Sequence, residues 1–446
     1  MTTPIADFVK NYVRSDSLRL HMPGHKGNNF LGCEAFDITE ISGADVLSSA
    51  CGIIEESEKN ASSLFSSAHS FYSTEGSSLA IKAMLTLIKK NSKKKSTKIL
   101  AARNVHKSFV YACALLDIDV SWVYPSSAGH LCECKITPSE LKTALESSNE
   151  LPNAVYVTSP DYLGNILDIA GLSSVCDEYS VPLLVDNAHG AYLAFLKENM
   201  HPIHLGAHMC CDSAHKTLPV LTGGAYLHIS EKYADLSVNQ VREALSVFAS
   251  TSPSYLILQS LDICNKYIGE GYLEKLDSFI HELNSLRARL SETGFPPLEN
   301  TEPLKLVFSR HDCGYSGIEL NQALNKSKIV PEFFDLDYLV LMLTPEITKS
   351  ELERIFDVFS SLVSKKPTNK MIYNTVLTPK RVMSIRDAVF APSETVPINK
   401  AKGRICSTPT VSCPPAVPIV ISGELIDGYA IELMAYYGIT DINVIV

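Results

Sequence analysis

The chain has 446 residues, 46% hydrophobic and 20% charged, an ordinary globular mix that can bury large cores over two or three domains. A net charge of −10 argues against a nucleic-acid binder, which would carry a basic face, and is compatible with a cationic ligand. No run reaches the ~18 apolar residues of a membrane helix, and Met1–Asp7 has no basic, apolar leader. The 12 cysteines are scattered without a CxxC pair, so reduced thiols, no metal centre and a cytoplasmic location are expected.

Residues 1–20 form an amphipathic arm, with Ile5, Phe8, Val9 and Tyr12 at helical spacing. His21-Met22-Pro23-Gly24-His25-Lys26-Gly27 is a turn that is either plain surface or part of a site. A helix is predicted over 55–70, and a second after Glu75-Gly76-Ser77-Ser78. Gly-Ser-Ser opening a helix serves either as a simple cap or as an anion cradle, because backbone N–H groups, hydroxyls and the helix dipole all favour negative charge.

From residue 98 onward, strands and helices alternate. Strands are predicted at 98–102, 120–123, 154–157 and 181–185, and helices at 109–116, 138–146 and 169–179. This rhythm predicts a mainly parallel sheet with helices on both faces. In such sheets ligands bind at the carboxyl ends of strands. Arg103-Asn104-Val105-His106-Lys107-Ser108 follows the first of these strands, and His106 there is either a helix cap or a flat ring for stacking. Asp186 ends the strand that leads into Asn187-Ala188-His189-Gly190. A carboxylate at the end of an apolar strand needs a partner, whether a cation, a helix terminus or a metal. Ser213-Ala214-His215-Lys216-Thr217 then places a lysine among small residues. Lys216 is either a surface residue or, if buried, an amine of lowered pKa able to attack a carbonyl and form a Schiff base.

Long helices are predicted over 254–293, strands at 304–308 and 338–343, and a helix over 349–363. Residues 364–381 read as a polar linker with Pro367 and Pro379, and a last module begins near Val382.

An anion cradle at Gly76-Ser77-Ser78, an imidazole at His106, a carboxylate at Asp186 and an amine at Lys216 all suit one ligand, pyridoxal phosphate. The phosphate takes the cradle, the ring lies between His106 and Ala188, the pyridine nitrogen meets Asp186, and the aldehyde meets Lys216. These motifs, together with Ser250-Thr251-Ser252-Pro253-Ser254-Tyr255 and Phe390-Ala391-Pro392-Ser393-Glu394, resemble those of the Orn/Lys/Arg decarboxylases nearly end to end.

The resemblance implies an aspartate aminotransferase-like, fold-type-I α/β large domain, a small α/β domain and a C-terminal α+β module. Expected boundaries are an arm and loop at 1–50, the cofactor domain at 51–250, the small domain at 251–365, and linker plus C-terminal module at 366–446. It implies that Lys216 carries the cofactor, that His106 stacks on its ring, that Asp186 binds its nitrogen, and that Ser77, Ser78, Ser213 and His215 surround the phosphate and the imine. It implies that 250–255 approaches the partner subunit's cofactor in a homodimer. The implied reaction is release of CO2 from arginine, lysine or ornithine, feeding polyamine synthesis, with Lys216 or His215 returning a proton to Cα. His189 and Glu424 are expected near the substrate, although Glu424 also reads as a surface-turn residue.

Three features depart from the family pattern. Glu75 stands where Asn or Gln is usual, so its charge must point away from a phosphate; Ser77 stands where Thr is usual; Ala416 replaces Gly after Pro414-Pro415. The N-terminal wing domain of the large inducible members is not in this sequence, so a short form without their decameric assembly is expected. The alternatives are another fold-type-I reaction, such as transamination, and an inactive cofactor-binding relative.

Overall fold

The computed structural model describes residues 1–127, 129–299, 301–367, 376–409 and 417–446. Seven strands, β1 (His69–Ser73), β2 (Thr97–Ala102), β3 (Ile118–Val123), β4 (Ala154–Thr158), β5 (Leu183–Asp186), β6 (Met209–Asp212) and β7 (Ala225–Ile229), form one sheet. Their order is β1-β7-β6-β5-β4-β2-β3. Strand β7 runs antiparallel to β1 and β6, while β5–β6 and β2–β3 are parallel. Helices α1 (Pro4–Arg14) and α2 (Ile53–Phe65) precede β1, and α3 (Gly76–Asn91), α4 (Lys107–Leu116), α5 (Pro138–Glu146), α6 (Ile169–Glu178) and the short α7 (Ala214–Thr217) lie between the strands. The fold is the expected α/β class with a mainly parallel sheet. The strands predicted from apolar runs lie within a residue or two of those observed. Strands β1, β6 and β7 are not among those predicted.

The chain divides into two compact units. The first comprises Met1–Lys95, Leu151–Val157 and Ile169–Leu273. It includes α8 (Val238–Ser246) and α9 (Tyr255–Gly269); α10 (Tyr272–Glu292) begins at its end. The region predicted as long helices is thus α9 and α10. Pro4 opens α1 with a pre-set φ, and Ile5, Ala6 and Val9 are buried. The N-terminus of α1 is held by Asp262 of α9, whose Oδ2 accepts the Ala6 N–H at 2.9 Å. Asp262 also accepts the Ser57 hydroxyl of α2, and Asn265 donates to the Tyr72 hydroxyl of β1 at 2.7 Å. A polar seam therefore fixes α1, α2 and α9 around the edge strand.

The second unit comprises Ser96–Glu150, Thr158–Asp168 and Glu274–Val446. Strands β8 (Lys305–Ser309), β9 (Phe333–Phe334) and β10 (Tyr338–Met342) form an antiparallel sheet in the order β8-β10-β9. Helices Gly317–Lys326 and Lys349–Ser360 start in capping boxes, Ser316 with Glu319 and Thr348 with Glu351, each satisfying two orphan N–H groups. Gly317 is required here: a Cβ would lie 1.8 Å from the Tyr338 carbonyl oxygen. Further along, β11 (Ser393–Pro397) and β12 (Asp441–Ile445) pair antiparallel. They share a core of Cys406, Ile419, Val420, Ile426, Leu433, Met434 and Val444 with helix Gly428–Tyr436. Among the described residues the cysteines are free thiols, and no helix is long and apolar enough to cross a membrane.

Candidate active site

Strand β6 ends at Asp212, and α7 follows at once, carrying Lys216 on a single turn. Lys216 is half-buried, and its Nζ lies 3.0 Å from Nε2 of His189, which is 5% exposed. His215 Nδ1 lies 3.0 Å from the Gly224 carbonyl oxygen. Burial and the Lys216 charge hold the His215 imidazole below its ordinary range, against the pull of that carbonyl.

Asp186 closes β5 and is 2% exposed. Its Oδ2 accepts the Tyr156 hydroxyl at 3.2 Å, and its Oδ1 accepts the Ala188 N–H at 3.2 Å and the Cys211 thiol at 3.7 Å. All three are neutral donors, and among the described residues Asp186 makes no ion pair. A buried carboxylate without a cation is costly, and this one suits a positively charged ring N–H. Tyr156 went unnoticed in the sequence, where it is one apolar-strand residue among others; only the pairing of β4 with β5 brings it to Asp186.

Gly76 opens α3 at φ +69°, in the left-handed region, and donates its N–H to the Gly223 carbonyl at 2.7 Å. A Cβ built on it would meet nothing within 4 Å, so the space over the loop is open. Ser213 Oγ donates to Ser77 Oγ at 2.9 Å, bringing two predicted residues together at the N-terminus of a 16-residue helix. Hydroxyls, first-turn amides and the helix dipole make this end suitable for a phosphate dianion. The Glu75 carboxylate is engaged elsewhere: Oε1 accepts the Ser250 N–H at 2.6 Å.

Asp212, fully buried, accepts Asn187 Nδ2 at 2.7 Å and lies 2.9 Å from His201 Nε2 and 3.3 Å from His228 Nε2. Burial pushes its carboxyl up, but the two imidazoles outweigh this and hold it well below the usual range. Cys210 joins the cluster, which at these distances is a hydrogen-bonded network. It ties the turn after Asp186 to the turn that carries Lys216, and no sequence motif announced it.

In the second unit, His106 is the N-cap of α4. Its Nδ1 accepts the Ser108 N–H at 3.2 Å and lies 2.9 Å from the Ser108 hydroxyl, which fixes the plane of the ring. Glu424 is 1% exposed and pairs with Arg103. The predicted His21–Gly27 loop, in the first unit, is held locally: Tyr12 Oη meets His21 Nε2 at 2.6 Å, and His25 meets Asp37 at 3.3 Å. The Cys413-Pro414-Pro415-Ala416 departure lies outside the described residues.

Residues 3–311 match the model of the Orn/Lys/Arg decarboxylase major domain, and residues 365–441 that of the C-terminal domain. The chain belongs to the Orn/Lys/Arg decarboxylase family. It is 28% identical to an arginine decarboxylase of Bacillus subtilis over 95% of this chain and 91% of that protein. A Bacillus anthracis arginine decarboxylase is also 28% identical, over 95% of this chain and 90% of its own length. The crystal structure of the Francisella novicida lysine decarboxylase LdcF superposes with a TM-score of 0.81 at 17% identity, covering 100% of this chain and 81% of its own, and shares the fold. As a family member the chain is a carboxy-lyase of basic amino acids, in a family that depends on pyridoxal phosphate; transamination is not favoured.

Proposed function

We propose that this decarboxylase releases CO2 from L-arginine to give agmatine, using pyridoxal phosphate held chiefly by residues of its first unit. Arginine is favoured because several relatives that match over nine-tenths or more of their own length are named arginine decarboxylases. The observation that carries the cofactor assignment is the cation-free, buried Asp186 alongside a half-buried Lys216 amine and the open cradle at Gly76. The donor set fits the group: two hydroxyls and helix amides for a phosphate, a carboxylate for a ring nitrogen, an amine for an aldehyde.

When bound, pyridoxal phosphate supplies an aldehyde carbon and a protonated ring that accepts the electron pair left at Cα as CO2 departs. The chain supplies the rest. Gly76, Ser77, Ser78 and Ser213 bind the phosphate. Asp186, steadied by Tyr156 and Ala188, keeps the ring nitrogen protonated. His106, oriented by Ser108, carries a flat ring of fixed plane, and Ala188 is small. Lys216 provides the amine, and Lys216 or His215, whichever carries the proton at that point, returns it to Cα. Of the two residues expected near the substrate, His189 lies against Lys216 and Glu424 is already paired with Arg103. Residues 51–250 form the cofactor domain, 251–365 the small domain and 366–446 the linker and C-terminal module. The 250–255 turn, tethered by Glu75, serves a homodimer in the cytoplasm.

The test is visible absorbance after adding pyridoxal phosphate to wild type and to Lys216→Ala. A band present in wild type and absent in the variant, with CO2 from arginine, is expected. No lysine-dependent band would overturn the cofactor assignment.

A further inference from the structure

We propose that His189 is the acid–base partner of Lys216, taking the proton from Nζ when the amine attacks a carbonyl and returning it as the exchange completes. This rests on reading Lys216 as the cofactor lysine, and it gives His189 a role at the amine instead of at the substrate.

The geometry is direct. His189 Nε2 stands 3.0 Å from Lys216 Nζ, a hydrogen-bond distance. An ammonium only donates, so Nε2 accepts and Nδ1 carries the ring proton. The ring is 5% exposed, which limits exchange of that proton with bulk water. Its turn is fixed at both ends: Asn187 N–H donates to the Cys211 carbonyl at 3.0 Å, and Gly190 N–H to the Asn187 carbonyl at 2.8 Å. The Asn187 side chain is pinned on Asp212. Of the charged and titratable neighbours, Asp186 is turned toward Tyr156, Ala188 and Cys211. His215, close enough for the Lys216 charge to lower its pKa, points Nδ1 at Gly224.

The chemistry requires such a group. An ammonium cannot attack a carbonyl carbon until it has lost a proton. As the C–N bond forms, nitrogen sheds a further proton, and the carbonyl oxygen needs protons to leave as water. Nε2 accepts two protons from Nζ in turn and hands each to the departing oxygen, while the third stays on the nitrogen. One C–N double bond forms, one C–O double bond breaks, one water leaves, and His189 ends as it began. When an incoming substrate amine displaces Nζ, the proton that this amine sheds passes through Nε2 to Nζ, and no water is taken up or lost.

The test mixes cofactor-free protein with pyridoxal phosphate at one pH and follows growth of the lysine-dependent visible band by stopped flow. His189→Gln keeps a hydrogen-bonding side chain that cannot carry a proton; His189→Ala removes the group. Both are expected to load about 10²-fold more slowly, as for loss of a general acid–base, and to reach the wild-type amplitude. Added imidazole is expected to restore part of the rate in His189→Ala and none in His189→Gln. Loading of His189→Gln at the wild-type rate would overturn the proposal. So would a slow His189→Ala that ignores imidazole, or folded variants that lose amplitude without losing rate. A wild type that forms no lysine-dependent band would instead remove the cofactor reading on which the proposal rests.

Discussion

Arg103 and Glu424 form an ion pair of 3.0 Å in which the arginine side chain is 12% exposed and the glutamate 1%. The guanidinium also donates to the Pro418 and Ile419 carbonyls at 3.3 and 3.0 Å and lies over the Trp122 ring. The same Glu424 oxygen accepts the Ile421 N–H at 2.8 Å. The pair thus fastens the 418–424 loop to the residue that opens the Arg103–His106 turn. Burial pushes the Glu424 carboxyl up, and Arg103 opposes that shift.

Removing either partner leaves the other charge buried and unpaired, which costs about 3–5 kcal/mol. Arg103→Ala and Glu424→Ala are each expected to lower Tm sharply in thermal melts of the whole protein. A Glu424→Ala variant that melts like wild type and only raises KM for arginine would instead place that carboxylate on the substrate.

Asp186→Asn keeps the shape of the strand end but cannot hold a ring proton. Steady-state kinetics are expected to show kcat down by about 10²–10³-fold or more. Tyr156→Phe removes one neutral hydrogen bond to the same carboxylate, worth about 1 kcal/mol, so kcat is expected to fall roughly tenfold or less. Equal effects of the two would show that Asp186 acts only through packing.

Two glycines separate backbone strain from steric clash. Gly76→Ala places a methyl in open space, so the cost is the left-handed φ alone, about 1–2 kcal/mol. The variant is expected to fold and to bind pyridoxal phosphate more weakly in an equilibrium titration. Gly317→Ala drives a methyl into the Tyr338 carbonyl, and a much larger drop in Tm is expected.

Asp262 carries a pH signature. Burial raises its carboxyl from 3.8 to about 6, against the Ala6 N–H and the Ser57 hydroxyl. Between about pH 4 and pH 6 the folded chain therefore holds a proton that the unfolded chain has released. The resulting stability is fully present below about pH 4 and is lost as pH rises through about 6. A gap of about two units corresponds to at most about 3 kcal/mol. In urea melts, the stability of wild type minus that of Asp262→Asn is expected to fall by roughly 1–3 kcal/mol from about pH 4 to about pH 7.5. A flat difference would contradict it.

Much of the architecture is legible in local pattern. The apolar runs at 98–102 and 154–157 are strands because nothing polar interrupts them. Helix α5 lies at the predicted 138–146, and the structure shows Thr137 and Glu140 forming a capping box there, with proline in the first turn. Strand β6, Met209-Cys210-Cys211-Asp212, has no readable period at four residues, and β7 runs against the parallel order. The site divides in the same way. Lys216, Asp186 and the Gly76 loop stand out in the sequence because each sits at a strand end or helix start. Their partners do not: Tyr156 is 30 residues from Asp186, His189 is 27 from Lys216, and Glu424 is 321 from Arg103. No local signal survives such separations, and charge type alone could not tell a substrate carboxylate from one already paired.

The measurement that bears most directly on the central claim is product analysis with pyridoxal phosphate and, in turn, arginine, lysine and ornithine, for wild type and Lys216→Ala. The account predicts CO2 and agmatine in equal amounts from arginine, far less turnover of the other two, and none in the variant. A keto acid without CO2, or turnover that survives loss of Lys216, would contradict it.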